Sequence, residues 1–291
     1  MSVVVARSVA EVVAALDEHR DAHLVNGGTD LGVEVNFGHR RPTSLVALRA
    51  VEELRHIERH GDGWRIGAGV TYHQLQGSDA ARLFPGLAQA ARTVGSPQIR
   101  NAGTIGGNVA TASPAGDTLP VLLAMAASVE LASVRGRRTV ALSDFITGPK
   151  RTVRAADELI VSVWLPHLEG PQEFLKVGTR NAMVISVAAV ALITDLIGRN
   201  VRIGLGSVGP TPLRAPEAEA FLSAAIDWTD PRVSTEVATR FGEMVSAASR
   251  PIDDHRSTAA YRRRAVAVCA QRAVLRAFGD GPSSSSTSEN S

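Results

Sequence analysis

The sequence predicts an α+β fold built from three successive blocks, residues 1–52, 53–170 and 171–278, followed by a tail at 279–291. Three observations favour this class. The first block has a β-α-β pattern, the second contains two β-hairpins separated by short helices, and the third places three strand-like segments before three helices. Strands that precede helices, rather than alternating with them, are typical of α+β folds.

The first block begins and ends with strand-like segments. VVVA predicts one strand, and HLVN predicts another that ends in Gly27-Gly28. Between them, Ser8 and Glu11 predict a capping box in front of a helix. The helix has apolar residues at helical spacing, which are Val9, Val12, Val13 and Leu16.

The second block is predicted from turn residues and caps. LRHIERHGDGWRIGAGV predicts a hairpin around Asp62-Gly63, and Thr71 with Gln74 caps a short helix. PGLAQAARTV predicts another helix, SVELASVRGRRTVALSDF a second hairpin, and DELIVSVWLP a strand ending at Pro166. The block is therefore mainly antiparallel.

The third block contains three strand-like segments, EFLKVGTR, VISVAAVALITD and RNVRIGLGSV. Helices are predicted to start near Ala215, Asp230 and Ser257. The tail GPSSSSTSENS has a low-complexity composition that predicts disorder.

Composition excludes several classes of function. The formal net charge is only +2, which gives no support to nucleic-acid binding. The single cysteine, Cys269, excludes an internal disulfide framework or a four-thiolate iron–sulfur cluster, and we expect it to be buried on a helix. Apolar runs such as VISVAAVALI are too short to span a bilayer, and the N-terminus lacks a signal-peptide pattern. A cytoplasmic location is expected.

Two glycine pairs are candidate phosphate sites. TIGGNVATASPAGD, from Thr104 to Asp117, and HLVNGGTDLGVEV, about eighty residues earlier, each predict a strand end, two glycines and small polar residues. Such a pair lets backbone N–H groups point toward one phosphate. No lysine follows the second pair, so binding there would depend on backbone dipoles. Together the loops predict a clamp for a dinucleotide, with Asp117 accepting hydrogen bonds from ribityl or ribose hydroxyls. For either loop alone, a structural turn is the alternative.

Five segments resemble, in order and spacing, the FAD-binding medium subunit of molybdenum hydroxylases, the xanthine dehydrogenase and carbon monoxide dehydrogenase group. They are LVNGGTDLGVEVNF, SPQIRNAGTIGGNVATASPAGDTLPVLLA, FITGPKRTVRAADELIVSVWLP, FLKVGTRNAM and VRIGLGSVGPTPLRA. The resemblance covers nearly the whole chain before the tail. It implies a vanillyl-alcohol-oxidase-type FAD-binding fold of two α+β subdomains, with a smaller C-terminal α+β domain.

The resemblance also implies which residues hold FAD, without a covalent bond. One loop would follow the pyrophosphate, a second loop would face it, and Asp117 would bind the ribityl chain or the polar edge of the flavin. Ile160 would pack on the isoalloxazine, and Lys176 would lie near the ring, where a cation raises the reduction potential. The alternative for Lys176 is a surface lysine. The full set is Leu24, Val25, Asn26, Gly27, Gly28, Thr29, Asp30, Leu31, Thr104, Ile105, Gly106, Gly107, Asn108, Asp117, Ile160 and Lys176.

Two positions depart from the family pattern. Val184-Ile185-Ser186 stands where many relatives carry Asp-Ile-Ala, and Val94 stands where some carry an aromatic residue over the flavin. The surroundings of the ring are therefore expected to differ from those in such relatives.

The implied function is that of an electron-transfer subunit. Electrons would pass from molybdopterin through 2Fe-2S clusters, all held by partner subunits, to FAD and then to NAD, oxygen or a quinone. The implied partners are an iron–sulfur small subunit and a molybdopterin large subunit, assembled as a dimer of heterotrimers. The alternative is a standalone flavin oxidase or reductase of the same fold. That enzyme would need acid/base groups over the flavin, but the third block offers apolar strands and helices rich in Arg and Ala.

Three further motifs are assigned no function. Gly204, Gly206 and Gly209 form G-x-G-x-x-G, but Pro210 and Pro212 prevent a helix from starting there, which argues against an NAD site.

The other two motifs are a histidine pair and a run of arginines. His56 and His60 in HIERH are predicted to be solvated hairpin residues rather than metal ligands, since a pair four residues apart needs a helix. The Arg262–Arg264 run predicts a solvated face or a partner contact.

Overall fold

The computed structural model describes residues 2–279 and has the predicted α+β class. The predicted disordered tail, residues 279–291, lies outside the described residues except for Gly279. Three sheets organise the described chain, one in each sequence block, and a two-stranded sheet accompanies the second.

The first sheet is parallel and has three strands. Its elements are β1 (Ser2–Val5), α1 (Val9–Glu18), β2 (His23–Val25), α2 (Leu31–Asn36) and β3 (Ser44–Ala47). The strand order is β1-β3-β2, so β3, which the sequence analysis missed, lies between the two predicted strands. Ser8 caps α1 by accepting from the Glu11 N–H, at 3.1 Å. The Glu11 carboxylate accepts from the N–H of Arg7 rather than Ser8, so only half of the predicted capping box forms.

The second sheet is antiparallel and has the order β4-β5-β10-β6-β7. After a 3-10 turn at Glu52–Leu54, the elements are β4 (Ile57–His60), β5 (Gly63–Gly67), α3 (Tyr72–Leu75), α4 (Ser78–Leu83), α5 (Pro85–Thr93), α6 (Pro97–Ala102), α7 (Ile105–Thr111), α8 (Thr118–Ala124), β6 (Ser128–Ser133), β7 (Gly136–Ala141), α9 (Leu142–Phe145), β8 (Ile146–Gly148), β9 (Arg151–Thr152) and β10 (Leu159–Pro166). Both predicted hairpins are present.

Most of the caps and turns predicted for residues 53–170 are present in the structure. Thr71 and Gln74 form a complete capping box on α3. The first hairpin turns at Gly61-Asp62, one residue earlier than predicted, because Gly61 takes the left-handed conformation (φ +62°) and Gly63 already pairs in β5. His60 lies on β4 and His56 just before it, and both are exposed, as predicted.

The third sheet has the antiparallel order β11-β12-β13-β14. The elements are β11 (Gln172–Val177), β12 (Ala188–Asp195), β13 (Asn200–Gly206), β14 (Leu213–Arg214), α10 (Pro216–Ala225), α11 (Thr235–Ala248) and α12 (Ala259–Phe278). The second helix starts five residues after the predicted Asp230, because Ser234 provides its N-cap.

The strand β12 is buried on both of its faces. Ala191 and Ile193 belong to the core of the central unit, whereas Val190 and Leu192 belong to the core under α10–α12. This explains why the segment is continuously apolar instead of alternating.

Packing accounts for the glycines of the G-x-G-x-x-G motif. A Cβ at Gly204 would lie 1.9 Å from the Pro120 carbonyl oxygen, and one at Gly206 would lie 2.7 Å from Pro120 Cγ. These glycines let α8 approach β13 closely.

One prediction for the last helix was wrong. Arg262 is buried rather than solvated, and its guanidinium donates to the carbonyls of Val187 (2.7 Å) and Ser207 (2.9 Å) and to Asp254 (2.7 Å). Its sequence neighbours Arg263 and Arg264 are exposed, whereas the two terminal nitrogens of Arg262 find acceptors in the interior and its buried Nε has no partner among the described residues. Cys269 is buried on α12, as expected. Among residues 2–279, no helix is both long and apolar enough to cross a bilayer.

Candidate functional site

A cleft of about 300 Å³ lies between the first unit (residues 1–52) and the central unit (residues 53–170), and both glycine loops line it. All eight residues from Leu24 to Leu31 contribute to the lining. So do Thr104, Gly106, Gly107, Asn108 and Ile160. Ile105, Asp117 and Lys176 do not.

The first loop presents unpaired backbone donors to this cleft. It follows β2, runs from residue 26 to residue 30, and leads into α2, which begins at Leu31. Among residues 2–279, no acceptor receives a hydrogen bond from the six backbone N–H groups of residues 26–31. Gly28 has φ +68°, which turns the backbone in a way that other residues rarely adopt. A run of free N–H groups in a glycine turn is suited to binding phosphate.

The second loop differs from its prediction. It does not follow a strand, because α6 precedes it and Ile105-Gly106-Gly107 form the first turn of α7. The N–H groups of Ile105 and Gly106 donate to the carbonyls of Val70 (3.0 Å) and Ala68 (2.9 Å), and that of Gly107 donates to Thr104 Oγ1 (3.1 Å). These donors are therefore not available to phosphate, and a symmetric clamp of two N–H-rich loops is wrong.

The glycines of the two loops have different roles. A Cβ at Gly27 would lie 1.8 Å from the Ala102 carbonyl oxygen, and a Cβ at Gly106 would lie 2.5 Å from Ala68 Cβ. Gly27 therefore allows the first block to pack closely on the second, and Gly106 allows α7 to pack closely on Ala68 within the second block. A Cβ at Gly107 would meet only Thr104 Oγ1, at 3.2 Å, and would otherwise occupy the cleft. The protein's own packing therefore leaves open the space beside Gly107.

A side-chain hydrogen bond joins the two sides of the cleft. Thr111 Oγ1, at the end of α7, donates to Asp30 Oδ2 at 2.8 Å. The bond fixes the first loop relative to α7 across a sequence separation of 81 residues.

Ile160 lies on β10 at the edge of the cleft. It is 4% exposed, and the β10–β6 ladder shifts register between Ile160 and Ser162. Bulges of this kind redirect a side chain. An apolar surface at this point suits one face of an aromatic ring.

Asp117 and Lys176 form a buried ion pair, a relation that the sequence analysis missed. Lys176 Nζ on β11 lies 2.6 Å from Asp117 Oδ2, and both side chains are 7% exposed. Lys176 also donates to the Thr93 carbonyl at 3.2 Å, and Thr93 Oγ1 donates to Asp117 at 3.2 Å. Burial raises the pKa of Asp117, against the attraction of Lys176.

The second carboxylate oxygen of this pair is unsatisfied. Asp117 Oδ1 is buried and has no hydrogen-bond partner among the described residues. Buried polar atoms normally have partners, so this oxygen can accept from a ligand hydroxyl or N–H. Tyr72 lines the cleft, and its pKa is raised by burial and, to a smaller extent, by the negative charges of Asp30 and Asp117.

Several lining residues were not predicted from the sequence. They are His23, Glu34, Arg40, Leu48, Ala68, Tyr72, Gly103, Ala110, Thr111, Lys150, Arg154 and Leu159. Seven of them lie in segments that resemble the family, and Lys150 is in addition one of two lysines in the chain. The remainder are brought to the cleft by the tertiary fold.

The residues present fit FAD. Free N–H groups in the first loop suit a pyrophosphate, the open face of Gly107 admits close approach, and the orphaned oxygen of Asp117 awaits a donor. A cleft of this kind between two α+β blocks, followed by a third α+β block, has the features expected of an FAD-binding protein.

Comparison with known proteins identifies the family. Residues 1–168 match the model of the FAD binding domain in molybdopterin dehydrogenase, and residues 173–277 match that of the CO dehydrogenase flavoprotein C-terminal domain. The chain therefore belongs to the family of FAD-binding subunits of molybdenum hydroxylases, and its cofactor is FAD.

Relatives match over nearly the whole chain. The glyceraldehyde dehydrogenase medium chain of Sulfolobus acidocaldarius is 30% identical over 94% of this chain and 96% of its own length. The nicotine 6-hydroxylase medium subunit of Paenarthrobacter nicotinovorans is 33% identical over 93% and 94%. A chain in the structure of a Cu,Mo-CO dehydrogenase superposes with a TM-score of 0.86, at 30% identity, over 95% of this chain and 98% of that chain.

Proposed function

We propose that this chain holds one FAD without a covalent bond and acts as the electron outlet of a molybdenum hydroxylase complex. The observation that carries the proposal is the run of six free backbone N–H groups at residues 26–31, which face a cleft between two units. Such sites favour anionic phosphates. The Gly-Lys-Ser/Thr motif of nucleotide-hydrolysing P-loop proteins does not follow this loop.

We assign roles to residues that line the cleft and to the Asp117–Lys176 pair, which does not line it. The first loop binds the pyrophosphate, and Gly107 allows the cofactor to approach α7. Ile160 packs on the isoalloxazine, and Asp117 Oδ1 accepts a hydrogen bond from the ribityl chain or the ring edge. Lys176 orients Asp117 through their 2.6 Å contact and places a positive charge near the ring. Bound FAD supplies the chemistry of accepting electrons one at a time from clusters and releasing them to a different acceptor.

The three predicted units would divide this work. Residues 1–52 contribute the pyrophosphate loop, residues 53–170 contribute Gly107, Asp117 and Ile160, and residues 171–278 contribute Lys176. No residue of this chain is assigned to the chemistry of the organic substrate.

Partner subunits would supply the other centres. One cysteine cannot ligate a 2Fe-2S cluster, which takes four cysteine thiolates. The relatives are named as medium chains or subunits, which supports an iron–sulfur small subunit and a molybdopterin large subunit as partners. We propose a dimer of heterotrimers in the cytoplasm, with NAD, oxygen or a quinone as the final acceptor.

Reconstitution tests this function. The isolated chain loaded with FAD should show a flavin spectrum without iron–sulfur absorbance and should oxidise no aldehyde, purine or carbon monoxide. Adding iron–sulfur and molybdopterin subunits from the same source should produce substrate-dependent flavin reduction. Substrate turnover by the FAD-loaded chain alone, at the rate of a complete enzyme, would instead support a standalone oxidase.

A further inference from the structure

The tertiary fold brings cations to a phosphate site whose local sequence has none. Arg40 follows α2, and Lys150 lies between β8 and β9, yet both line the cleft together with the first loop. We propose that Arg40 and Lys150 supply the positive charge that binds the phosphates of the cofactor. This inference rests on the proposed FAD site and adds two binding residues to it.

Glu34 holds the two cations together. Its carboxylate lies 2.7 Å from Arg40 Nε and 3.6 Å from Lys150 Nζ. Glu34 is on α2, which begins directly after the first loop. The carboxylate that pairs with both cations is therefore carried by the helix that follows the loop. Burial tends to raise the pKa of Glu34, but Arg40 and Lys150 outweigh it and lower the pKa, so that Glu34 stays ionised.

Arg40, Lys150 and Glu34 form a group in the lining that carries one excess positive charge. Arg154 also lines the cleft, but its guanidinium donates to the backbone carbonyls of Ala155 and Glu158. Asp30 accepts from Thr111. Arg40 and Lys150 therefore share the single carboxylate of Glu34 and carry one excess positive charge. Their side chains are 45% and 64% exposed, so both can turn onto an anion in the cleft.

The backbone of Lys150 provides a second, independent observation. Lys150 has φ +56°, a left-handed conformation that glycine adopts freely and lysine does not. Its N–H donates to the carbonyl of Ala112 at 3.0 Å, at the end of α7. A glycine would satisfy the same backbone bond without strain. The lysine side chain therefore stands at a position where glycine would be less strained.

Flavin binding by the full chain, stripped of cofactor, tests the inference. Lys150→Gly removes the ammonium and relieves the backbone, Arg40→Gln removes the guanidinium charge, and Lys150→Arg keeps a cation. Arg240→Gln is the matched control, since Arg240 is an exposed arginine paired with Glu243 on α11. Each protein is titrated with FAD and with riboflavin, which lacks phosphates, at low and at high salt.

We expect Lys150→Gly and Arg40→Gln each to weaken FAD binding about tenfold at low salt, the scale of one charge-assisted hydrogen bond, and to reduce its salt dependence. Riboflavin binding should not change, Lys150→Arg should bind FAD as wild type does, and Lys150→Gly should melt at a higher temperature. FAD binding by Lys150→Gly and Arg40→Gln equal to that of Arg240→Gln would overturn the inference. An equal loss of riboflavin binding would also overturn it, by showing a structural role. Failure of the wild-type chain to bind FAD would overturn the proposed function itself.

Discussion

Replacing Gly107 by alanine separates cofactor binding from stability. Gly107 is an exposed residue in the first turn of α7, and an added Cβ would touch only Thr104 Oγ1 within the protein, at 3.2 Å. Alanine favours a helix over glycine by about 1 kcal/mol, and the contact with Thr104 offsets part of that gain. The free energy of unfolding of the FAD-free variant should stay within about 1 kcal/mol of wild type.

FAD affinity, in contrast to stability, should fall in the Gly107→Ala variant. The new methyl group points into space that the protein leaves open beside the phosphate loop. Overpacking of a fitted site costs about 1–3 kcal/mol, so FAD should bind roughly five- to a hundredfold more weakly.

The assay is a fluorescence titration of the FAD-free chain, combined with urea unfolding. Gly32→Ala is the matched control, because Gly32 is also exposed and helical, has no atom within 4 Å of its Cβ position and does not line the cleft. Gly206 cannot serve as control, since Pro120 Cγ would lie 2.7 Å from its added Cβ. If Gly107→Ala and Gly32→Ala bind FAD equally well, the cofactor does not approach α7 at this point.

Three further outcomes follow from contacts described above. Asp117→Asn leaves the buried Lys176 ammonium without its counter-charge and should lower the free energy of unfolding by about 3 kcal/mol, measured in urea; an unchanged midpoint would contradict a buried ion pair. Glu130 has a pKa of about 2, because hydrogen bonds from Ser162, Arg137 and Arg65 outweigh its burial. Its stabilisation is therefore complete above its ordinary pKa of 4.5 and is lost as the pH falls toward 2. In thermal melts, the loss of stability between pH 4.5 and pH 2 should be about 1 kcal/mol smaller for Glu130→Gln than for wild type. The same loss in both proteins would contradict the lowered pKa of Glu130. Acid precipitation should release all of the flavin, since the buried Cys269 lies in a different core from the cleft; colour retained in the pellet would point to His23, which lines the cleft.

Elements with strong local signals could be predicted from the sequence. The caps at Ser8 and Thr71, the hairpin glycine and the apolar strands depend on neighbouring residues, and the structure has them within a few positions. The strand β3 was missed because it is only four residues long, and its burial depends on the two strands that flank it. Short segments of this kind acquire their structure from tertiary contacts.

The site could be predicted only in part. The first loop was found because a strand followed by a glycine pair is a local pattern, and the family resemblance implied the set of residues 24–31, all of which line the cleft. The availability of the N–H groups could not be foreseen, since those of Ile105 and Gly106 are taken by carbonyls about 35 residues away. The Asp117–Lys176 pair and the Arg40–Glu34–Lys150 cluster join residues from different blocks. A single sequence carries no signal for such pairings.

The two-sided burial of β12 has a consequence for how the molecule unfolds. Matches to two separate family models, ending at residue 168 and beginning at residue 173, describe two modules that can be recognised independently by sequence. Yet one strand supplies Ile193 to the core of the first module and Leu192 to the core of the second. Removing either module would expose one face of this sheet to water. The boundary between the two family modules is therefore not expected to separate two independently unfolding units. The chain should lose its structure in a single transition, and cofactor bound at the amino-terminal cleft should protect helices as distant as α12 from hydrogen exchange.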